Sequence, residues 1–404
     1  MPRYLFSTGS ARGGTGLLTQ MLSVSPKIDI ALDPYLALFK SYRSAVVRAH
    51  GSEALRKAYA PAEPLQDYYF SDSRREVLDH LHKAGLDLPF PASEQEELTA
   101  ALKARAALSS GDLIEGMEAV RGRDYFEAFT NALEHIRRRR GSPQEGWIGI
   151  HENWAVEFLV PLARAFPEAK FMVLLRDPRA VVSSNLMVKE EALRGHALSY
   201  ARCLRKLMAC ALHYETLPVF QGRLMILRYE DIIRDPEPRC RELCRFLEVE
   251  FDPRMLDSER WIDPGTGKVY EGFSSYESRA RGFSTHRIDR WKKHLPEPKA
   301  RLTDLVCGPE MGFFGYEALD GEGGQPHPEA LKALIEDDAG PKAWRCDSGS
   351  AMHDYGFELF RRAVLDLPEA PDEPLVRRLF LFPSVYERLR RGNRRTATAP
   401  AARP

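Results

Sequence analysis

A glycine-rich stretch near the N-terminus restricts the possible folds of this chain more than any other feature. The apolar run at residues 4–6 stops at a loop, residues 9–16, that contains four glycines. Residues 17–22 then place leucines and a methionine at the spacing of one helix face. Glycines let backbone N–H groups turn towards an anion, and a helix start favours negative charge. The sequence therefore predicts a strand, a loop and a helix that together hold an anion.

The residues of this loop argue against a nucleoside-triphosphate site. Such a loop reads G-x-x-x-x-G-K-[ST], with the lysine on the phosphates. Gly9 and Gly14 have this spacing, but Thr15 stands at the lysine position. Arg12 instead supplies a cation inside the loop, which suits an oxygen of a phosphate or sulfate group. A tight turn without a ligand is the alternative. The predicted anion-binding residues are Arg12, Gly13, Gly14, Thr15 and Gly16.

Three further motifs follow later in the chain. Residues 171–175 are an apolar strand that ends in Arg176, and Asp177 then has the type and place of a helix N-cap. The second of these motifs, LRYED at residues 227–231, comes at the end of another predicted strand. The third, RWKK, occupies residues 290–293.

Together these four motifs resemble those of the sulfotransferases that use 3′-phosphoadenosine 5′-phosphosulfate (PAPS). The resemblance covers about residues 3–40 and 147–315. It implies that the first loop holds the 5′-phosphosulfate, and that Arg176 and Ser184 hold the 3′-phosphate. The R-x-G-T sequence that starts at Arg12 is the form seen in tyrosylprotein and many bacterial members. The resemblance further implies sulfuryl transfer to an acceptor, mostly a hydroxyl group, with adenosine 3′,5′-bisphosphate (PAP) as product. Because a sulfuryl group bears less charge than a terminal phosphoryl group, we expect that no metal is required.

The sequence offers two candidates for the catalytic base. Asp33 follows Arg12 by 21 residues, the offset of the base glutamate in the tyrosylprotein enzymes that this loop resembles. Its alternative role is to cap the helix predicted from Tyr35. His151 ends a short strand, near the position where many members of the family have a lysine that contacts the transferring group. Its alternative is a purely structural histidine, and the sequence leaves the choice of base open.

The order of strands and helices predicts an α/β fold with a parallel central sheet flanked by helices. We expect one domain over residues 1–320, with its core at 3–40 and 147–315 and a large helical insertion at about 48–146. Residues 321–404 are predicted to form a C-terminal extension, disordered from 392. The loop at 270–290 is predicted to be mobile, and Arg281, Gly282 or Arg287 could close it over the donor.

Composition limits the possible partners and location. Lysine plus arginine equals aspartate plus glutamate at 58 each, so no overall charge draws the protein to nucleic acid. No run of about 18 apolar residues predicts a membrane span. The apolar strand starts at Tyr4 with no signal sequence before it, so we expect a cytoplasmic protein. The expected partner is a small-molecule or glycan acceptor, and the oligomeric state stays open.

Two other functions compete with sulfuryl transfer. A P-loop kinase is disfavoured by the missing lysine at Thr15 and would be supported by a magnesium requirement. A non-catalytic nucleotide-binding protein would bind the donor without turnover.

Overall fold

A five-stranded parallel sheet organises the structure. The computed structural model describes residues 3–61, 72–142, 145–188, 196–272, 281–319 and 348–398. The sheet order is β2-β3-β1-β4-β5, and all four pairings are parallel. The predicted α/β class with a parallel central sheet is therefore confirmed. The strands are β1 (Arg3–Gly9), β2 (Ile28–Leu32), β3 (Trp147–Asn153), β4 (Lys170–Leu175) and β5 (Leu224–Arg228).

Helices connect the strands and make up much of the rest of the described chain. In chain order, the α-helices are α1 (Thr15–Ser23), α2 (Leu36–His50), α3 (Glu53–Ala58), α4 (Asp72–Lys83), α5 (Gln95–Ala106), α6 (Tyr125–Arg140), α7 (Leu159–Ala165), α8 (Pro178–Leu186), α9 (Ala197–Tyr214), α10 (Tyr229–Arg234), α11 (Pro236–Leu247), α12 (Arg290–His294), α13 (Glu297–Phe313), α14 (Ala351–Asp366), α15 (Glu373–Phe380) and α16 (Pro383–Thr398). No helix among these residues is long and apolar enough to cross a membrane.

The strand register brings the ends of the strands together. In β1 and β3, Gly9 pairs with Asn153, and in β2 and β3, Leu32 pairs with His151. Because the strands are parallel, the segments that follow their carboxyl ends meet at one edge of the sheet. Ligands of open α/β sheets bind at this edge. The glycine loop, Asp33 and Arg176 all follow strands there.

The chain divides into two compact units. The first contains the whole sheet and comprises Met1–Leu65, Glu76–Arg176 and Pro218–Ile288. The second comprises Gln66–Arg75, Asp177–Leu217 and Asp289–Pro404. The C-terminal helices α14, α15 and α16 share the second unit with α8 and α9, and the domain boundary at residue 320 stays a prediction.

Buried ion pairs explain why the C-terminal helices belong to the second unit. Arg202 and Arg205 of α9 are fully buried, and Glu358 of α14 bridges them at 3.0 and 2.5 Å. Arg202 also pairs with Asp354 at 3.2 Å. A buried charge is strongly destabilising without its partner, so α9 and α14 have to pack together.

The helical stretch at 48–146 contacts the sheet at β2. Arg140, at the end of α6, forms an ion pair of 2.7 Å with Asp29 of β2. The Ser110 hydroxyl donates to the Leu32 carbonyl at 2.8 Å. These contacts hold this part of the chain beside the carboxyl end of β2.

Helix α16 continues to Thr398, into the segment for which the sequence predicts disorder from Gly392. A glycine inside a helix costs only about 1 kcal/mol relative to alanine. The buried side chains of Val385 and Leu389 support the preceding turns. Residues 399–404 lie outside the described part of the chain. So do residues 190–195 of the helix predicted there, residues 273–280 of the predicted mobile loop, and the predicted boundary at 320–321.

Candidate functional site

The glycine loop turns sharply between β1 and α1. Arg12 and Gly14 have left-handed backbones with φ of 67° and 93°, and Gly14 is the N-cap of α1. The Gly13 N–H donates to the Ser10 carbonyl at 2.8 Å, which closes the turn. The N–H groups in the first turn of α1 have no carbonyl partner within the helix. The first turn also lacks acidic residues, so its electrostatics favour an anion.

Two glycines of the loop are required by close approach of aromatic residues. A Cβ atom on Gly14 would lie 2.1 Å from Cδ2 of Tyr229, and one on Gly16 would lie 1.9 Å from the Tyr270 hydroxyl. The Ser10 hydroxyl is fully buried and has no hydrogen-bond partner among the described residues. A buried polar group beside unused helix N–H groups fits a loop that holds an anionic ligand such as a phosphosulfate.

Arg176 joins three of the four sequence motifs. Its Nη1 donates to the Arg12 carbonyl at 2.7 Å, and its Nη2 donates to the Arg287 carbonyl at 3.1 Å. The guanidinium carbon lies 4.5 Å from the centre of the Tyr229 ring. The buried Nε has no partner within the described part of the chain. The glycine loop, the end of β4 and the LRYED motif are therefore one contact group.

The last part of the predicted mobile loop, residues 281–290, contacts this group through Arg287. Besides accepting from Arg176, Arg287 donates Nη1 to the Gly282 carbonyl at 3.5 Å. Arg281 instead pairs with the exposed Glu259 at 3.2 Å. Of the three residues that the sequence left open, Arg287 is the one the structure places on Arg176.

The second unit contains Ser184 and the RWKK motif. Asp177 caps α8 as predicted, accepting from the Arg179 N–H at 2.9 Å, and Ser184 is buried in the same helix. The Arg179 guanidinium lies 4.3 Å from the Trp291 ring centre and pairs with Asp304 at 3.3 Å. The RWKK motif therefore packs on α8.

Asp33 does not cap a helix. Helix α2 begins at Leu36 with Tyr35 as its N-cap, which makes no side-chain cap bond, so the capping alternative was wrong. Asp33 adopts a left-handed backbone with φ of 56° and is only 8% exposed. Its Oδ1 accepts from the Asn153 N–H at 2.7 Å, and its Oδ2 accepts from the Asn153 side-chain amide. Oδ2 also forms an ion pair of 2.9 Å with Arg105.

His151 lies inside the sheet. It is fully buried, and its Nδ1 is 2.9 Å from the Ser7 hydroxyl of β1. Its Nε2 has no partner among the described residues. Burial lowers the pKa of His151 to about 4, so the imidazole is neutral at physiological pH.

Residues 3–253 match the family model described as the sulfotransferase family. The chain belongs to the sulfotransferase family. The predicted resemblance is therefore confirmed. This sulfotransferase-family chain is 28% identical over 180 residues to human carbohydrate sulfotransferase 3, across 40% of the chain and 36% of that relative. It is 27% identical over 203 residues to protein-tyrosine sulfotransferase 1 of Danio rerio, across 49% of the chain and 57% of that relative. These matches span about a third to somewhat over half of the relatives' lengths.

Two solved structures are also similar to this family member. One is the sulfotransferase domain from the curacin biosynthetic pathway, with 19% identity and a TM-score of 0.43, covering 79% of this chain and 99% of that one. The other is retinol dehydratase in complex with androsterone and the inactive cofactor PAP, with 14% identity and a TM-score of 0.34, covering 79% and 82%.

Two residues beside Asp33 in this sulfotransferase-family chain, Arg105 and Glu152, were not predicted from the sequence. Arg105 lies on α5 and also donates its Nε to the Asp33 carbonyl at 3.2 Å. Glu152 of β3 is 1% exposed, and its Oε1 accepts from the Tyr35 N–H. Burial raises the pKa of Glu152 well above 4.5, and the charge of Asp33 raises it further. Arg105 belongs to no sequence motif. Glu152 directly follows the predicted site residue His151, but the sequence suggested no role for it.

Proposed function

We propose that this protein transfers the sulfuryl group of PAPS to a hydroxyl group of an acceptor and releases PAP. The contact between Arg176 and the Arg12 carbonyl carries this proposal, because it joins the anion loop to the arginine that ends β4. Membership of the sulfotransferase family over residues 3–253 supports it. The threonine at position 15, where a kinase has its lysine, argues against phosphoryl transfer.

The donor would be held by the glycine loop and Arg176. When bound, PAPS supplies a sulfuryl group attached to a phosphate leaving group. Arg12 and the N–H groups of residues 13–16 would bind the 5′ end and neutralise the negative charge that grows there. Arg176 would bind the 3′-phosphate, for which its buried Nε is the donor without a partner among the described residues. A contact of Ser184 with the same phosphate stays a prediction from the sequence.

A metal ion is not needed for this chemistry in principle. A sulfuryl group carries less negative charge than a terminal phosphoryl group, and the cationic loop can supply the compensating charge. Independence from divalent metal, like a cytoplasmic location, stays a prediction.

Asp33 is the better of the two predicted bases. Its carboxylate lies at the ligand-binding edge of the sheet, and Asn153 and Arg105 fix its orientation. An aspartate held in this way can accept the hydroxyl proton of the acceptor. His151 is fully buried and hydrogen-bonded to Ser7, which supports a structural role.

The names of the relatives support a hydroxyl acceptor. Carbohydrate and protein-tyrosine sulfotransferases are both among the similar proteins, and the side chain of tyrosine and the sugar ring offer hydroxyl groups. We therefore propose a glycan or a small hydroxyl compound as the acceptor class.

A transfer assay with sulfur-labelled PAPS tests this function. The panel comprises an N-acetylated oligosaccharide, a tyrosine-containing peptide and a simple phenol. We expect label in at least one acceptor. Asp33→Asn should lower turnover by about a hundredfold to ten-thousandfold while PAP affinity stays close to wild type. Asp87→Asn, at an exposed aspartate, is the control. PAP binding without transfer to any acceptor would instead support a non-catalytic nucleotide-binding protein.

A further inference from the structure

Three consecutive residues of β3 hold the turn that carries Asp33. The His151 carbonyl accepts from the Asp33 N–H at 2.7 Å, and the Asn153 N–H donates to Oδ1 of Asp33 at 2.7 Å. Between them, Oε1 of Glu152 accepts from the Tyr35 N–H. A left-handed aspartate persists only where the surrounding structure holds it, so these contacts fix the Asp33 backbone.

Glu152 forms no ion pair among the described residues. Arg105, whose positive charge acts on Glu152, already pairs with Asp33 at 2.9 Å. On β1, Thr8 is uncharged and donates its hydroxyl to the Glu152 carbonyl at 2.7 Å. On α6, His135 bonds to the Tyr35 hydroxyl, and burial lowers the pKa of His135, so it is neutral at physiological pH. A second buried carboxylate beside Asp33 would be repelled and poorly solvated.

We propose that Glu152 is a positioning residue for Asp33 and that it acts as a neutral carboxylic acid. Its Oε1 holds the backbone of the turn, and its neutrality leaves Asp33 as the single negative charge available to accept a proton. Burial and the charge of Asp33 keep the pKa of Glu152 well above 4.5, which agrees with this role. The inference rests on the proposed role of Asp33 as the base.

The charge state of Glu152 can be tested without any ligand. The folded protein keeps the Glu152 proton above pH 4.5, whereas the unfolded chain loses it, so this residue makes the wild type less stable as pH rises. Glu152→Gln removes that penalty and keeps the acceptor oxygen. We expect the melting temperature of Glu152→Gln, relative to wild type, to increase steadily from about pH 5 to about pH 8. A difference that is flat over this range would overturn the inference.

Glu358→Gln is the matched control for this measurement. Glu358 is also completely buried, but although burial opposes ionisation, Arg205 and Arg202 lower its pKa. It is therefore ionised in both the folded and the unfolded state between about pH 5 and pH 8. Glu358→Gln should destabilise the protein by an amount that does not change over this range. Infrared spectra of the ligand-free protein should also show a protonated carboxyl band that Glu152→Gln lacks, and the same band in both proteins would contradict the assignment.

Measurements of turnover distinguish a positioning role of Glu152 from a purely structural one. With the best acceptor of the panel, Glu152→Ala should lower kcat by about 10- to 100-fold through a misplaced Asp33, with the PAP dissociation constant nearly unchanged. Glu152→Gln should restore most of this loss, because glutamine keeps the acceptor oxygen and cannot ionise. If Glu152→Gln is as impaired as Glu152→Ala, a charged Glu152 is needed and the inference is wrong.

These measurements distinguish the two proposals. A flat stability difference overturns the inference on Glu152 while leaving sulfuryl transfer intact. A wild type that transfers no label to any acceptor overturns the proposed function, and the positioning role with it, even if Glu152 proves neutral.

Discussion

Replacing Arg176 with alanine gives the sharpest test of how the donor site is built. Its guanidinium donates to the carbonyls of Arg12 and Arg287 at 2.7 and 3.1 Å, and its Nε has no partner among the described residues. We propose that Arg176 also contacts the 3′-phosphate of the donor. The substitution therefore removes a link within the protein and a contact to the ligand.

Loss of the link to Arg12 and loss of the phosphate contact can be told apart by comparing two nucleotides. A charged hydrogen bond to phosphate contributes about 1.5–3 kcal/mol, which corresponds to a roughly 10- to 150-fold change in affinity. Loss of the bond to Arg12 should weaken every ligand of the glycine loop by a similar factor. Loss of the phosphate contact should weaken PAP but not adenosine 5′-monophosphate, which lacks the 3′-phosphate. We therefore expect the preference for PAP to fall by roughly 10- to 150-fold in Arg176→Ala.

Titration calorimetry of both nucleotides measures this preference. Arg176→Lys should lie between wild type and alanine, because lysine keeps the charge but not the planar fork. Arg234→Ala, at an exposed arginine, is the control for loss of a cation. If Arg176→Ala weakens both nucleotides equally, Arg176 only links the two loops, and the 3′-phosphate assignment is refuted.

Three further predictions concern the glycine loop, the metal requirement and the proposed base. Gly14→Ala should weaken PAP binding by roughly tenfold or more, because it combines a clash at 2.1 Å with Tyr229 and a left-handed backbone. Gly222→Ala is the control, because Gly222 has φ of 71° and open space around it. Equal PAP affinities of the two variants in calorimetry would argue against donor binding by the glycine loop. Sulfuryl transfer should persist in EDTA, whereas activity that disappears and returns with magnesium would favour the kinase alternative. Arg105→Gln removes the ion pair with Asp33, so steady-state kinetics should show a lower kcat with unchanged PAP affinity; a loss confined to PAP affinity would contradict that expectation.

Local features of the site could be read from the sequence because neighbouring residues decide them. The glycine loop depends on backbone freedom at Gly14 and on the helix start at Thr15. The cap of α8 likewise depends on Asp177 and the residues just after it. The parallel sheet was predictable as well, since strands that alternate with helices allow few other arrangements.

Features that depend on distant residues could not be read in this way. A capping role for Asp33 was plausible from its neighbours, yet its carboxylate is bound by Asn153 and by Arg105 from another part of the chain. The packing of the C-terminal helices on α9 could not be read for the same reason, because Glu358 is the distant residue that bridges Arg202 and Arg205. Ion pairs of this kind leave no periodic pattern in the sequence.

The sequence by itself determined the glycine loop, the parallel α/β class and the candidates Asp33 and His151. Only the tertiary structure decided how these candidates differ. Both are buried, but Asp33 is paired with a cation at the edge of the sheet, whereas His151 is enclosed and its pKa falls to about 4. The cost of a buried charge depends on which distant groups share its surroundings, and packing alone fixes those groups.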